Sequence, residues 1–304
     1  MTDYGDVPIT VALVAEERHL GNQALVDAQA AWHAHGCRIE VVVPDAALLY
    51  DVPVQTPPWS VVVSRGRHLA GLGLLAAASA LGVPAVNDPR AIELVRNKIG
   101  MQAVLSHHDI PLPRTWFAGD PAVFGQLPPD LFPLVVKPYD GDGARGLALL
   151  TEPADVALLP PIMGRRSLYL AQEYLQTDGF DLKLYGIGSK VWAVRKPSPV
   201  SFSGGPGPAE FTSGGEAELV DIDPELRDIA LTCGRACQLE LWGVDVAMTP
   251  DGPAVIEVND FPTYSAVPGA GAAIAEHVLT LVEMHAVAQG AGREHYRSIV
   301  RRPQ

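Results

Sequence analysis

The sequence predicts a mixed fold, α/β up to about Val86 and α+β beyond it, and three observations carry that reading. From Ile9 to Val86, short continuously apolar runs alternate with helical patterns. Beyond Pro111 closely spaced strand-like segments follow, with only short helical pieces between them. Near the end, Thr249-Pro250-Asp251-Gly252-Pro253 separates two apolar segments as a hairpin turn would. The 304 residues suffice for two domains or three small ones, and 48% hydrophobic against 19% charged residues leaves ample core material.

In the first unit, Ile9–Ala15, Ile39–Val43 and Ser60–Val63 are predominantly apolar rather than alternating, as strands buried on both faces of a parallel sheet are, and Pro84–Val86 adds a short fourth. Helices are expected over Asn22 to His35, stopped by Gly36, and over Leu69–Leu81. The unit is Rossmann-like in topology. Only Gly21 follows its first strand, so no dinucleotide fingerprint is present. Asp88-Pro89 then opens a helix, Asp at the N-cap and Pro in the first turn, running through Lys98 to about His108.

Strands are expected at Thr115–Phe117, Leu134–Lys137, Leu147–Leu150, Leu168–Tyr174, Leu182–Ile187 and Val191–Arg195, with a helix over Pro224–Leu241. Val244–Met248 and Ala254–Val258 form the antiparallel hairpin, Ala270–Val287 a closing helix, and Gly204–Gly215 a long loop. The tail Glu294–Gln304 is expected to be loosely held.

Lys and Arg total 22 against 35 Asp and Glu, a formal charge of −13 that argues against dedicated nucleic-acid or membrane-surface binding. Three cysteines make no closed disulfide framework. Met1-Thr2-Asp3 opens acidic and polar where a secretory signal is basic, and the longest apolar stretch, Gly71 to Val86, falls short of a bilayer span. The expectation is a soluble cytoplasmic protein, with a homo-oligomer as the prior for assembly.

Three groups of residues could carry chemistry. Asp140-Gly141-Asp142-Gly143-Ala144-Arg145-Gly146 is followed by a strand rather than a helix, so it reads as a glycine-rich hairpin loop whose N–H groups could approach phosphates, or as a plain surface hairpin. Lys137 ends a buried strand just before it, where an unpaired ammonium is costly, and Lys98 precedes it in a helix. Glu257 and Asn259, two apart on a strand, share a face; Asp245 joins them if the register is right. Such oxygen-only ligands suit Mg²⁺ bridging phosphates, or Mn²⁺ in its place, against the alternative of a solvated carboxylate pair. Cys233 and Cys237 on one helix face read as core, His107-His108 as a helix end and Arg165-Arg166 as a solvated turn.

Taken in order, Asn97-Lys98, Val136-Lys137-Pro138, the glycine loop, Gln172-Glu173-Tyr174-Leu175, Asp181-Leu182-Lys183, Gly243-Val244-Asp245-Val246 and Glu257-Val258-Asn259 resemble the ATP-grasp superfamily, within it the RimK-like carboxylate–amine ligases. The resemblance implies a Rossmann-like pre-grasp domain at 1–87 and a two-subdomain ATP-grasp fold. Its central part with the glycine loop would be 88–170, and its C-terminal part with the metal hairpin 171–304. It implies that Lys98 and Lys137 contact the nucleotide phosphates beneath a loop carrying Gly141, Gly143 and Gly146. Gln172, Glu173, Tyr174 and Leu175 would form the hinge, with Tyr174 and Leu175 backbone recognising adenine. Asp181 would hold the ribose, and Lys183 and Arg195 would face the phosphates or the reacting carboxylate. Asp245, Glu257 and Asn259 would hold two Mg²⁺ ions.

The implied reaction uses ATP to join a small-molecule or peptide carboxylate to an amine, from an amino acid or a carrier protein, through an acyl phosphate. A small-molecule kinase on the same fold and a non-catalytic nucleotide-binding module are the alternatives. Two departures from the family pattern bear on the substrates. Phe211-Thr212-Ser213-Gly214-Gly215 lacks the usual Asn, and Glu257-Val258-Asn259 runs into Asp260-Phe261-Pro262-Thr263-Tyr264, where Asp260 and Tyr264 are candidates for the acceptor pocket.

Overall fold

The computed structural model describes residues 8–45, 57–139, 146–159, 168–198, 200–201, 205–208, 210–211 and 216–288. Its first unit consists of β1 (Thr10–Ala15), α1 (Glu17–Leu20), α2 (Gln23–Ala34), β2 (Arg38–Val42), β3 (Val61–Arg65), α3 (Leu69–Ala80) and β4 (Ala85–Val86). The strands pair in parallel in the order β2-β1-β3-β4. Every residue of β1 and β3 is buried, Ser64 and Arg65 at the end of β3 included, because α2 and α3 cover opposite faces. β2 corrects the expectation for its run. It is an edge strand with Arg38, Glu40 and Val41 exposed, because strand order is set by crossovers that hydropathy does not record.

The single helix expected from Asp88 is two helices, α4 (Pro89–Arg96) and α5 (Lys98–His107). Asn97 leaves helical geometry at ψ 86° and caps the second helix, its side chain accepting from the Gly100 N–H at 3.0 Å. Lys98 thereby becomes the first residue of a new helix. After α5 come β5 (Thr115–Ala118), β6 (Leu134–Pro138), β7 (Ala148–Leu150), β8 (Tyr169–Glu173), β9 (Phe180–Ile187) and β10 (Lys190–Pro197). Then follow β11 (Val200–Ser201), β12 (Gly207–Pro208), β13 (Glu210–Phe211), β14 (Glu218–Val220), α6 (Pro224–Ala236), β15 (Leu241–Thr249), β16 (Gly252–Asp260) and α7 (Ala270–Ala288).

Two five-stranded antiparallel sheets result, β12-β7-β6-β8-β5 and β14-β10-β9-β15-β16, with β11 pairing β13 apart from them. The described parts of the segment expected to be a loop over Gly204–Gly215 are partly strand, since β12 adds to the edge of β7. The helix expected over Pro224–Leu241 ends at Ala236, where Cys237 caps it and Gln238 turns at φ 56°, so that Leu241 can start β15. One face of the second antiparallel sheet packs on α6 and α5 through Leu184, Val244 and Cys233. The other packs on α7 through Tyr185, Ile187 and Ile274. Helix α7 also packs on α2, joining this sheet to the parallel unit. Asn87 ties β4 to the start of β15: its carboxamide accepts from the Glu240 and Leu241 N–H groups and donates to the Leu241 carbonyl. Among the described residues, no helix is long and apolar enough to cross a membrane.

Candidate active site

Strand alternation decides which side chains can meet. Leu182 and Leu184 of β9 face the α6 side, so Asp181, Lys183 and Tyr185 face the other way. Val244 and Val258 likewise face α6, which turns Asp245, Glu257 and Asn259 to the Lys183 side. Register then brings them into line. Asp245 lies opposite Glu257 on one side and opposite Lys183 on the other, while Asn259 lies opposite Gly243. The pairing shifts just after Asp245, and that bulge lets Asp245 and Glu257 share the face although Val255 and Val258 both point to the core.

The polar groups form two ion pairs. Lys183 Nζ lies 2.9 Å from Asp245 Oδ1, and Asn259 Nδ2 donates to Asp245 Oδ2 at 2.7 Å. Lys98, almost fully buried at the start of α5, donates to Glu257 Oε1 at 2.9 Å. Burial works against the Lys183 charge, but the Asp245 carboxylate more than compensates and holds its pKa above the ordinary lysine value. Lys137 comes from the other antiparallel sheet. Leu134 and Val136 of β6 pack on Phe124 and Ala171, so Lys137 takes the opposite face, where Gln172 sits across from Val135. Burial lowers the Lys137 pKa to about 8; the Glu257 and Asp245 charges raise it and Lys98 lowers it, so all four groups share one space. Asp181 is pushed above the usual carboxylate range by burial and by Asp245, with Lys196, opposite it in register, pulling the other way.

Two carboxylates and a carboxamide oxygen on one rigid hairpin are hard oxygen donors, suited to Mg²⁺. Both carboxylates already face a cation, the ammonium groups of Lys183 and Lys98, so the cluster demands positive charge. Among the described residues no group of three or more His, Cys, Asp or Glu is arranged to hold a metal ion. A divalent ion here would therefore draw its remaining ligands from elsewhere, as one bridging phosphates does.

The residues expected to form the hinge are placed as follows. Gln172 is buried and donates to the Thr115 hydroxyl at 3.0 Å. Glu173 is exposed, its backbone N–H bonded to Arg114. The Tyr174 N–H donates to the Pro133 carbonyl, and Leu175 follows half-buried. Gly146 follows β6 at φ 75°, close against Pro138, whereas Gly141 and Gly143 lie outside the described residues. So do Arg165-Arg166, the 212–215 stretch and the tail.

Arg195 is not brought to this cluster. It lies opposite Leu182, on the α6 face, with its guanidinium on Asp178 at 2.9 Å and over the Phe180 ring at 3.4 Å. Its neighbour Lys196 occupies the site face instead, a residue that sequence reasoning missed because either member of Arg195-Lys196 fits the pattern. Asp260 and Tyr264 are also committed elsewhere. Asp260 pairs with Arg96 at 2.9 Å, and the buried Tyr264 hydroxyl donates to the Gly186 carbonyl at 2.8 Å. Cys233 and Cys237 are core, with burial pushing both thiols up to about 12.

Against known proteins, residues 95–282 match the RimK-like ATP-grasp domain. A probable alpha-L-glutamate ligase 2 of Shewanella sp. (strain MR-4) is 31% identical over 249 residues, covering 77% of this chain and 80% of the relative. Among solved structures, the D-cycloserine synthetase DcsG superposes with a TM-score of 0.71 at 17% identity, over 90% of this chain and 99% of that one. The ATP-grasp ligase PsnB, complexed with minimal precursor, Mg and ADP, superposes at 0.63 and 17%, over 88% and 96%.

Proposed function

The chain belongs to the RimK-like ATP-grasp family, and from that premise we propose that it is an ATP-dependent carboxylate–amine ligase, forming an amide through an acyl phosphate and releasing ADP and phosphate. The observation that carries the reading is the facing arrangement of Asp245, Glu257 and Asn259 with Lys98, Lys137 and Lys183. It offers places for a divalent cation and for a polyphosphate side by side. Asp245, Glu257 and Asn259 would hold Mg²⁺, which supplies charge neutralisation on the phosphates.

As nucleotide enters, Lys98 and Lys183 exchange their carboxylate partners for phosphate oxygens, and the phosphates favour the charged form of Lys137 beside them. Asp181, half-buried on the same face, is positioned for the ribose hydroxyls, and the Gln172–Leu175 segment for the base. The glycine loop would close over the phosphates. A carboxylate oxygen of the acid attacks the γ-phosphorus and the bond to the ADP oxygen breaks. The amine then attacks the acyl carbon, and phosphate leaves as the nitrogen gives up a proton. The chain supplies positioning and fixed charge rather than a covalent intermediate. The substrates we propose are an amino acid or peptide carboxylate and an amino-acid or peptide amine. Arg195, held on the opposite sheet face, stands outside the proposed set.

Hydroxylamine trapping tests this reading. With Mg²⁺ and ATP the chain should convert L-glutamate, or another acid of a panel of amino acids and short acidic peptides, to its hydroxamate with matching ADP release. ADP formation with a hydroxyl acceptor and no hydroxamate from any acid would refute the ligase and favour a kinase.

A further inference from the structure

Arg65 ends β3 and is only 6% exposed. It shares the strand face of Val61 and Val63, which pack into the core between α2 and α7. Its guanidinium carbon lies 5.6 Å from the centre of the Phe261 ring. Nη1 is buried and has no hydrogen-bond partner among the described residues. Neither nearby oxygen serves it: Asp260 is held by Arg96, the Tyr264 hydroxyl donates to Gly186, and neither bonds Nη1. Burial disfavours the charge, Tyr264, Asp260 and Tyr185 support it, and Arg18 opposes it. A buried guanidinium with an orphaned donor is destabilising unless an acceptor arrives.

The surroundings hold Arg65 rigidly. Glu16 accepts from the N–H groups of Arg67 and His68 just beyond it, and lies so close to Gly66 that a Cβ there would meet Glu16 Oε1 at 2.5 Å. Arg96 bonds both the Gly66 carbonyl at 2.6 Å and Asp260, tying the end of β3 to the end of the hairpin that carries Glu257 and Asn259. Tyr185 bears electrostatically on both charge systems. It is two residues from Lys183 on the same face of β9, and its hydroxyl influences Arg65.

We propose that Arg65 is the carboxylate-recognition residue of the substrate site, its guanidinium fork binding a carboxylate that does not react and so setting the reacting group at the Lys183–Asp245 end. This rests on the ligase reading for the identity of the substrate as an amino acid or peptide. A planar two-oxygen anion fits the fork bidentately. On the ligase reading the phosphates belong with Lys98, Lys137 and Lys183. The carboxylate comes either from the acid or from the amine acceptor, and the test separates the two.

Calorimetric titrations of the full chain at saturating Mg²⁺ and AMPPNP use N-acetyl-L-glutamate, with two carboxylates and a blocked amine, and L-alanine, with one carboxylate and a free amine. Wild type binds at least one, and the probe that binds identifies the source. Arg65→Met weakens that probe tenfold or more and Arg65→Lys weakens it less, while the corresponding carboxamide binds wild type no better than the acid binds Arg65→Met. Because a buried orphan donor is removed, Arg65→Met melts no lower than wild type, an outcome a purely structural role for the arginine would not give. Unchanged probe affinity in Arg65→Met, equal affinity for acid and carboxamide, or no binding of either probe to wild type overturns the proposal. If probe binding depends on Arg65 while no acid yields a hydroxamate, the ligase reading falls and the carboxylate subsite stands.

Discussion

Replacing Glu257 by Gln separates the electrostatic role of the hairpin from its structural one. The carboxamide keeps an acceptor oxygen for Lys98 Nζ, now 2.9 Å away, and removes one negative charge from the proposed cation site. Removing one partner of a buried pair outright costs roughly 3–5 kcal/mol. Here the Glu257 side chain is 24% exposed and the acceptor survives, so solvent and the remaining bond reduce the loss to about 1–2 kcal/mol. The transition state loses more. A metal that must neutralise charge on a transferring phosphoryl group contributes several kcal/mol, and loosening it should cost about 3 kcal/mol. At about 1.4 kcal/mol per tenfold, that slows turnover by a hundredfold or more. ADP release at saturating Mg²⁺ and acid reads the rate, and urea unfolding reads stability. A rate within threefold of wild type would remove Glu257 from the cation site. A hundredfold loss with a collapsed unfolding midpoint would mean that the Lys98–Glu257 pair is structural first.

Three further outcomes are expected. Burial holds Lys137 at about 8 against an ordinary 10.5, so between those values the unfolded chain binds the extra proton and this group's contribution to stability rises with pH. Phosphates favour the charged amine, so binding of Mg²⁺ and AMPPNP at pH 8 should take up protons, seen as a buffer-dependent binding enthalpy that Lys137→Met removes; identical enthalpies across buffers would place the phosphates elsewhere. A Cβ at Gly186 would meet Trp242 Cε2 at 2.0 Å, and the other side of that buried indole is closed by Gly234, so Gly186→Ala should cost roughly 3 kcal/mol in urea unfolding, with a loss under 1 kcal/mol showing that the indole can shift. Asn87→Ala strands two N–H groups and one carbonyl at the start of β15, a loss of roughly 3 kcal/mol readable by the same method, and an unchanged midpoint would mean that water replaces the carboxamide.

Much of this molecule was legible in its residues. The largely apolar runs of β1 and β3, the Asp88 cap, the turn at Thr249–Gly252 and the two-residue spacing of Glu257 and Asn259 are local signals, because hydropathy, capping and turn chemistry act over a few neighbouring residues. The ordered motifs also led to the family without any knowledge of distance. What the sequence left open was what depends on which segments become neighbours. Whether Asp245 joins Glu257 depends on register and a bulge, and a slip of one residue would have turned it to the core. The same parity put Lys196 rather than Arg195 on the site face, fixed by pairing with β9 and by Val194 and Ala193 facing different cores. The break at Asn97 directs Lys98 to Glu257, 159 residues away along the chain. Arg65 became an orphaned cation only because β3, β9 and the end of β16 enclose it, and enclosure is a property of packing that no local run of residues carries.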